Sequence, residues 1–262
     1  MKVKCNAVIF AVEDKERVDI RKLQEKELQV GLYDDFTLPK FTPNDQEDLR
    51  NLVEDHIEKL FDIKRFALEQ LVCIGEPRFY EKSSEVLVTY LVILCKSDIQ
   101  KMPKAFDFYS ISIEELGDGT FKEEAEGYYK EQKISLKSPK KEVNFVYESH
   151  ARKYRKSLDY THNIKGKSKM NELSAFLMYH GLKRLKQRLD NTGLAFAFLP
   201  QEFKISDIQQ VHELILCEKL EPGNFRKKIE PYVVKTDKVL KGLAYRPSTL
   251  YRYNQDYINF WI

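Results

Sequence analysis

The sequence predicts an α+β protein in two parts: a mixed β-sheet that carries helices, followed by a winged helix-turn-helix. Apolar, β-prone runs at residues 5–12, 86–95 and 106–113 predict strands of the sheet. Apolar residues at helical spacing predict two long helices, over about residues 44–61 and 171–189. The last sixty residues follow the order helix, short basic helix and basic hairpin, which is typical of a winged helix-turn-helix.

The first part is predicted to be a mixed sheet that carries a helix. Further short strands are expected at residues 28–32 and 71–74, and the first helix is expected to start at the capping pair Asn44-Asp45. Gly117-Asp118-Gly119 predicts a turn after the strand at 106–113. Residues 120–170 are a charged, Tyr-rich insertion for which the sequence predicts no structure, and the helix at 171–189 closes the part. We therefore place the first domain at 1–190 and the winged helix at 191–262.

Composition narrows the class of protein. With 42% hydrophobic and 32% charged residues the 262-residue chain is globular, and its most apolar run, residues 86–95, is too short to span a bilayer. The four cysteines contain no CxxC pair, which argues against a structural zinc site, and we expect a cytoplasmic protein with reduced thiols and no membrane partner. The net charge of +3 gives little indication of whether the chain binds nucleic acid. Residues 130–170, however, hold twelve Lys or Arg against four Asp or Glu, either a solvated face or an interface.

The C-terminal part carries the candidate nucleic-acid contacts. Ser206 and Gln209 form a predicted capping box, and Pro222 and Pro231 bracket the next helix. In that helix Phe225 and Ile229 are four residues apart and dock on the core, which turns its cationic side chains outward. The predicted DNA contacts are Asn224, Arg226, Lys227 and Lys228 of the helix and Lys235, Lys238, Lys241, Arg246 and Arg252 of the wing. The alternative is a small helical subdomain whose basic edge is merely solvated.

Three fragments carry a resemblance to a known family. Residues 198–205, Phe-Leu-Pro-Gln-Glu-Phe-Lys-Ile, precede the basic string 224–228, Asn-Phe-Arg-Lys-Lys, and Arg246-Pro247 with Leu250-Tyr251-Arg252 follows it. This region resembles the C-terminal domain of Nudix-related transcriptional regulators (NrtR-like proteins). The resemblance implies a Nudix-like α/β/α sensor domain, a homodimer that binds palindromic operator DNA, and a small-molecule effector such as ADP-ribose or another nucleotide or sugar metabolite. We expect a regulator, most simply a repressor, that needs no cofactor.

The first part departs from the Nudix pattern. After Leu38-Pro39 the chain has Lys40 and Phe41 where the family's glycines fall. Aligning residues 47–49 with the family motif places Asp55-His56 at its Arg-Glu pair, Lys59-Leu60 at its paired glutamates and Asp62 at its glycine. Lys and Leu do not ligate Mg²⁺, so we expect no metal, no catalytic residue and no hydrolase activity.

Three alternatives stay open at this point. The chain is a pyrophosphohydrolase acting on ADP-ribose or a related nucleotide sugar if other carboxylates, such as Glu54 and Glu58 on one helix face, replace the lost glutamates. It is an interaction protein if the winged helix binds another protein. Arg78-Phe79-Tyr80, in a predicted loop between strands, either grips the phosphate or ring of an effector or simply packs the loop.

Overall fold

The computed structural model describes residues 2–15, 25–44, 48–75, 85–122, 126–154, 157–189, 193–240, 248–254 and 256. Within these ranges nine strands form one mixed sheet with the order β4-β5-β1-β2-β6-β7-β8-β9, and β3 also pairs with β1. Strands β1 and β5 are parallel, and the other neighbours are antiparallel. The strands are β1 Lys2–Asp14, β2 Lys26–Tyr33, β3 Lys40–Phe41, β4 Phe66–Ile74, β5 Glu85–Leu94, β6 Phe106–Lys122, β7 Glu126–Lys137, β8 Glu142–Tyr154 and β9 Ser157–Lys165.

Strand β1 is central and buries both of its faces. Side chains of a strand point alternately to opposite faces, so Val8 and Phe10 enter one hydrophobic cluster and Ala7 and Ile9 enter another. Helix α1 (Leu49–Phe61) covers the second cluster, and helix α2 (Glu172–Arg188) packs on the first. The predicted α/β/α layering, with strands at all three apolar runs, is confirmed.

Helix α1 starts later than the sequence prediction. The cap is Asp48, whose Oδ1 accepts a hydrogen bond from the Asn51 backbone N–H at 2.9 Å. The expected start at Asn44-Asp45 is wrong because Asn44 lies outside the helix; Asp45 falls outside the described residues. Asp48 provides the same chemistry as the predicted pair, one turn closer to the first buried side chain, Leu52.

The predicted turn at Gly117-Asp118-Gly119 is wrong, because strand β6 runs straight through it. The register against β7 shifts between Glu115 and Gly117, which is the signature of a β-bulge. At Gly119, two residues later, an added Cβ would lie 2.9 Å from the Tyr129 ring, so the two strands' residues approach closely there. The glycines thus let a long strand bend and approach its neighbour instead of ending it.

Residues 120–170 are therefore part of the sheet. Strands β7, β8 and β9 extend it beyond β6 as long antiparallel hairpins. Ile134, Phe145 and Tyr147 bury their side chains on the face that α2 covers, whereas Tyr128 and Tyr160, further along the same face, are 69% and 55% exposed. The dense charge hid this alternation from the sequence analysis, because most of the cations lie on the solvent side or at the strand ends.

Helix α2 confirms the prediction for residues 171–189 and lies very close to the sheet. Asn171 caps it by accepting a hydrogen bond from the Ser174 N–H at 2.8 Å. At Gly181 a Cβ would lie 2.8 Å from Cε2 of Phe10 and 3.1 Å from Cγ1 of Val8. Only a glycine allows the helix to cross β1 at this distance. Among the described residues, none of the helices is long and apolar enough to cross a membrane.

The C-terminal module follows after a 3-10 helix, Gly193–Phe198. It consists of α3 (Ile205–Leu216), α4 (Pro222–Ile229) and an antiparallel hairpin of β10 (Val233–Leu240) and β11 (Ser248–Tyr253). The predicted Ser206–Gln209 capping box is wrong: α3 begins after Lys204, and the Asp207 carboxylate accepts the Lys204 backbone N–H at 3.0 Å. Helix α3 packs against α2 and β2, and its Ile208, Val211 and Ile215 join the hydrophobic cluster of Val8.

Candidate nucleic-acid interface

Helix α4 is short, and local chemistry fixes its start. Glu221 is the N-cap, and its two carboxylate oxygens accept the backbone N–H groups of Gly223 at 2.9 Å and Asn224 at 2.6 Å. These two hydrogen bonds hold the pKa of Glu221 below its usual range. Pro222 at the first helical position needs no N–H partner. The cap therefore orders an eight-residue helix that is too short to be stable by itself.

The packing of α4 divides its residues into two faces. Phe225 and Ile229 are 4% and 5% exposed, as their four-residue spacing predicts. The Phe225 ring meets the His212 imidazole of α3 edge-on, with ring centroids 5.0 Å apart. The remaining side chains, Asn224, Arg226, Lys227 and Lys228, are exposed. One amide and three cationic side chains therefore lie on the exposed face of a helix whose other face packs on the core.

The α3–α4 corner holds this helix at a fixed angle. Cys217 ends α3 in the left-handed conformation, with φ 61°. Glu213 then accepts hydrogen bonds from the Gln209 amide at 2.9 Å, the Lys219 ammonium at 3.0 Å and the Leu220 backbone N–H at 3.1 Å. Burial raises the pKa of this carboxyl, but the three hydrogen bonds outweigh burial, and the pKa is lowered. The charged Glu213 side chain thus stabilises the turn between α3 and α4.

The wing is tied to the start of α3. Phe203 and Tyr251 exchange backbone hydrogen bonds of 2.9 and 2.8 Å, so β11 gains a partner on its second edge. Lys235, Lys238 and Arg252 are exposed on this hairpin, and Lys238 forms an ion pair of 3.0 Å with Glu202. Two of the predicted wing contacts, Lys241 and Arg246, fall outside the described residues.

One contact joins the basic helix to the wing. The Arg226 Nη2 donates a hydrogen bond of 3.1 Å to the Tyr251 hydroxyl. The cationic surface of α4 and the base of the hairpin are therefore neighbours, as a helix and wing that follow one duplex require. The sequence analysis quoted Tyr251 only as part of a motif, because a tyrosine in a strand carries no signal for such a contact.

The first part of the chain contains two polar arrangements that the sequence analysis missed. On the α1 side of the sheet, Lys96 donates to Glu13 at 2.5 Å and to Gln29 at 2.9 Å, and Gln29 is buried. After α1, Arg65 binds the Asp98 carboxylate at 2.6 Å and the backbone oxygen of Leu199 at 2.5 Å. Arg65 therefore joins the loop that follows α1 directly to the residues that lead into α3.

The positions assigned to the Nudix pattern lie on the exposed side or at the end of α1. Lys59 pairs with Asp55 at 3.6 Å, and Glu54 pairs with Arg50 at 3.0 Å. Within the described ranges, no three His, Cys, Asp or Glu side chains come together as metal ligands. Arg78-Phe79-Tyr80, the predicted effector contact, falls outside the described residues. A surface cavity of about 610 Å³ opens elsewhere, between the loop at Asp34–Phe36 and the β7–β8 turn.

Comparisons with known proteins agree with this architecture. Residues 195–253 match the family model described as the NrtR DNA-binding winged helix domain. A curated relative from Acinetobacter baylyi, named ADPR responsive transcriptional repressor NtrR, is 34% identical over 83 residues. That match spans 31% of this chain and 33% of the relative, about a third of its length.

Solved structures match along almost the whole chain. A MutT/nudix family protein from Enterococcus faecalis aligns with 97% of this chain and 88% of its own, with a TM-score of 0.64 and 14% identity. NrtR from Shewanella oneidensis, crystallised with a 27mer DNA, aligns over 97% and 94%, with a TM-score of 0.63 and 15% identity. At these identities the likeness establishes the fold. The predicted order, a Nudix-like mixed-sheet domain followed by a winged helix, is confirmed.

Proposed function

Since the chain is NrtR-like in its winged helix and in the order of its two folds, we propose that it is a ligand-responsive, DNA-binding transcriptional regulator. The observation that carries the proposal is the surface of α4. Phe225 and Ile229 anchor the helix, while Asn224, Arg226, Lys227 and Lys228 are exposed. A helix of this kind fits the major groove, where Arg and Lys reach guanine or phosphate and Asn pairs with adenine.

The wing supplies the second half of the proposed interface. Lys235, Lys238 and Arg252 are exposed on the wing, and Lys241 and Arg246 stay predicted contacts in the segment between the two wing strands. Cations that flank a recognition helix neutralise phosphates and fix its register on the duplex. Lys238 has an acidic partner, Glu202, which DNA has to displace, so we rank Lys238 below Lys235.

We propose that the Nudix-like domain senses a small molecule and does not hydrolyse it. The Acinetobacter baylyi relative is named as ADPR responsive, so ADP-ribose is the first effector to test. The register of α1 supports a silent site, because Lys59 and Leu60 stand at the paired glutamates of the Nudix pattern and Lys59 is paired with Asp55. Arg78, Phe79 and Tyr80 stay the proposed contacts for the effector.

The proposed mechanism is a shift between two arrangements of a homodimer. A ligand changes operator affinity only if it binds one arrangement more tightly than the other. Two α4 helices that are one helical turn apart fit successive major grooves of a palindromic site. The Arg65 junction, which connects the loop after α1 to Leu199, offers a short route from the sensor domain to α3. Release of DNA by the effector would make the protein a repressor.

The test is a gel-shift titration at fixed salt with a duplex that the wild-type protein selects from random sequences. The double variant Arg226→Ala with Lys228→Ala should weaken binding at least about 30-fold, since each contact to base or phosphate contributes about 1–3 kcal/mol and the variant removes two. The control is Lys101→Ala with Lys104→Ala, which removes two exposed lysines from the loop between β5 and β6 and should bind like the wild type. Equal affinity of the two double variants would contradict the proposal.

The sensor function has its own measurements. Titration calorimetry with ADP-ribose should give saturable binding, and added ADP-ribose should release the selected duplex. Incubation of the same complex with Mg²⁺ should leave ADP-ribose intact. Turnover of ADP-ribose would instead favour the hydrolase alternative and would contradict the proposal that α1 carries no catalytic site.

A further inference from the structure

The Tyr251 side chain is held firmly and faces the basic helix. Backbone hydrogen bonds of 2.8 and 2.9 Å tie the residue to Phe203 on one edge, and β10 pairs with it on the other. Its hydroxyl accepts the 3.1 Å hydrogen bond from Arg226 Nη2. The strand therefore fixes the position of the phenol, and the phenol fixes the position of the guanidinium.

The hydrogen-bonding capacity of this pair is incompletely used. A phenol offers one O–H donor in addition to its acceptor lone pairs, and a guanidinium offers five N–H donors in a planar fork. Here the phenol acts as acceptor toward Arg226, so its own proton points elsewhere. Arg226 is exposed, so its remaining donors are accessible to a ligand in solution. A guanidinium and an adjacent hydroxyl donor together match the oxygens of a phosphate.

A third group adds charge at the same place. Lys235 is the register partner of Tyr251 in β10. Directly opposed residues of an antiparallel pair point to the same face, with Cβ atoms about 4.5–5.5 Å apart. Lys235 is exposed, so its ammonium reaches solvent on the face that carries the Tyr251 ring. Two cations and one neutral donor thus come together where α4 meets the wing.

We propose that Arg226, Tyr251 and Lys235 form a binding site for one phosphate of the DNA backbone. The inference rests on the proposed function and refines it: Arg226, although it belongs to the recognition helix, positions the protein and does not read a base. The hydrogen bond to Tyr251 holds the guanidinium toward the wing, and the wing lies over the backbone of a duplex whose groove holds α4. Sequence reading is left to Asn224 and Lys227, which have no hydrogen bond to the described residues of the wing.

Contacts to phosphate and contacts to bases differ in what their loss does. Loss of a phosphate contact weakens binding to every sequence by the same factor and lowers the salt dependence of the affinity. Loss of a base contact weakens binding to the selected site more than to an unrelated one. The ratio of the two affinities therefore tells which kind of contact a side chain makes.

The experiment measures the affinity of the full-length protein for the selected duplex and for a scrambled duplex of equal length, at several salt concentrations. Tyr251→Phe removes one oxygen and keeps the ring. It should weaken binding to both duplexes about 3- to 10-fold and leave their affinity ratio unchanged. Arg226→Ala should do the same more strongly, with a shallower salt slope, and adding Tyr251→Phe to it should change little. Asn224→Ala should lower the ratio.

Tyr253→Phe is the matched control, because this tyrosine lies on the same face of the strand as Tyr251 but packs its ring on Phe196, with ring centroids 4.7 Å apart. It should bind both duplexes like the wild type, and the thermal midpoint of Tyr251→Phe should equal that of the wild type. Wild-type affinity in Tyr251→Phe, or a changed ratio in Arg226→Ala, would overturn the inference alone. A wild-type protein that binds neither duplex would overturn the proposed function as well.

Discussion

Gly181 gives a quantitative test of how α2 packs on the sheet. In an open helix, a change from Gly to Ala stabilises the fold by about 1 kcal/mol, because Ala loses less backbone entropy on folding. At Gly181 the added methyl would lie 2.8 Å from Phe10 Cε2, 3.1 Å from Val8 Cγ1 and 3.3 Å from Phe10 Cζ. Both neighbours are fully buried in the central strand, so neither can move without shifting β1.

The steric cost therefore exceeds the entropic gain. Overpacking a closed core by one methyl costs about 1–3 kcal/mol. We expect Gly181→Ala to lower the free energy of unfolding by what remains of this cost after the entropic gain, up to about 2 kcal/mol. For a chain of this size each kcal/mol corresponds to a fall of about 2–4 °C in the thermal midpoint.

The assay is thermal and urea unfolding followed by circular dichroism. Gly117→Ala is the control, because a Cβ at that position has no heavy atom within 4 Å; its effect should stay within about 0.5 kcal/mol. Adding Phe10→Leu to Gly181→Ala should cost less than the sum of the two single changes, since the smaller side chain relieves the clash. A thermal midpoint of Gly181→Ala above that of the wild type would refute the reasoning.

Two further predictions concern the junction and the cap. Arg65→Ala should lower the free energy of unfolding by about 1 kcal/mol, less than a fully buried charge-assisted pair contributes because the side chain is 40% exposed. Urea titration checks this, and the free energy of unfolding of Arg65→Lys should lie between those of the wild type and Arg65→Ala. In Arg65→Ala, amide hydrogens near Leu199 should exchange faster, and unchanged exchange there would count against a junction. Because hydrogen bonds lower the pKa of Glu221, its stabilisation of α4 is complete above about pH 4.3 and is lost as the pH falls through the lowered pKa. In an NMR pH series the amide signals of Gly223 and Asn224 should shift as Glu221 titrates, and this pH dependence should be absent in Glu221→Gln. A titration midpoint at or above pH 4.3 would disprove the lowered pKa of Glu221.

The parts of the fold that local chemistry determines could be predicted from the sequence. Phe225 and Ile229 are four residues apart between two prolines, and this pattern fixed both the length and the buried face of α4. The apolar runs of β1 and β5 predicted buried strands, because both faces of a central strand are covered. Helix α2 could be predicted as well, since Asn171 marks its start and a stripe of apolar side chains marks its inner face.

The remaining features depend on partners distant in the sequence. Gly117 and Gly119 belong to a bulged strand only because β7 lies beside them, and no local rule distinguishes that from a turn. Capping by Asp207 instead of Ser206 was decided by where the chain enters α3 from Phe203. The contact between Arg226 and Tyr251 joins residues 25 positions apart, and neither residue type reveals its partner.

The winged helix shares its interior with the sheet. Ile208 and Phe225 belong to the same hydrophobic cluster as Phe10 and Leu91. Because the two parts share this core, the winged helix cannot rotate relative to the sheet without exposing buried apolar side chains. A fragment consisting of the C-terminal module alone would present this apolar surface to water and should aggregate. Grafting the module onto a foreign sensor would require transplanting the matching patch of β2 and α2 along with it.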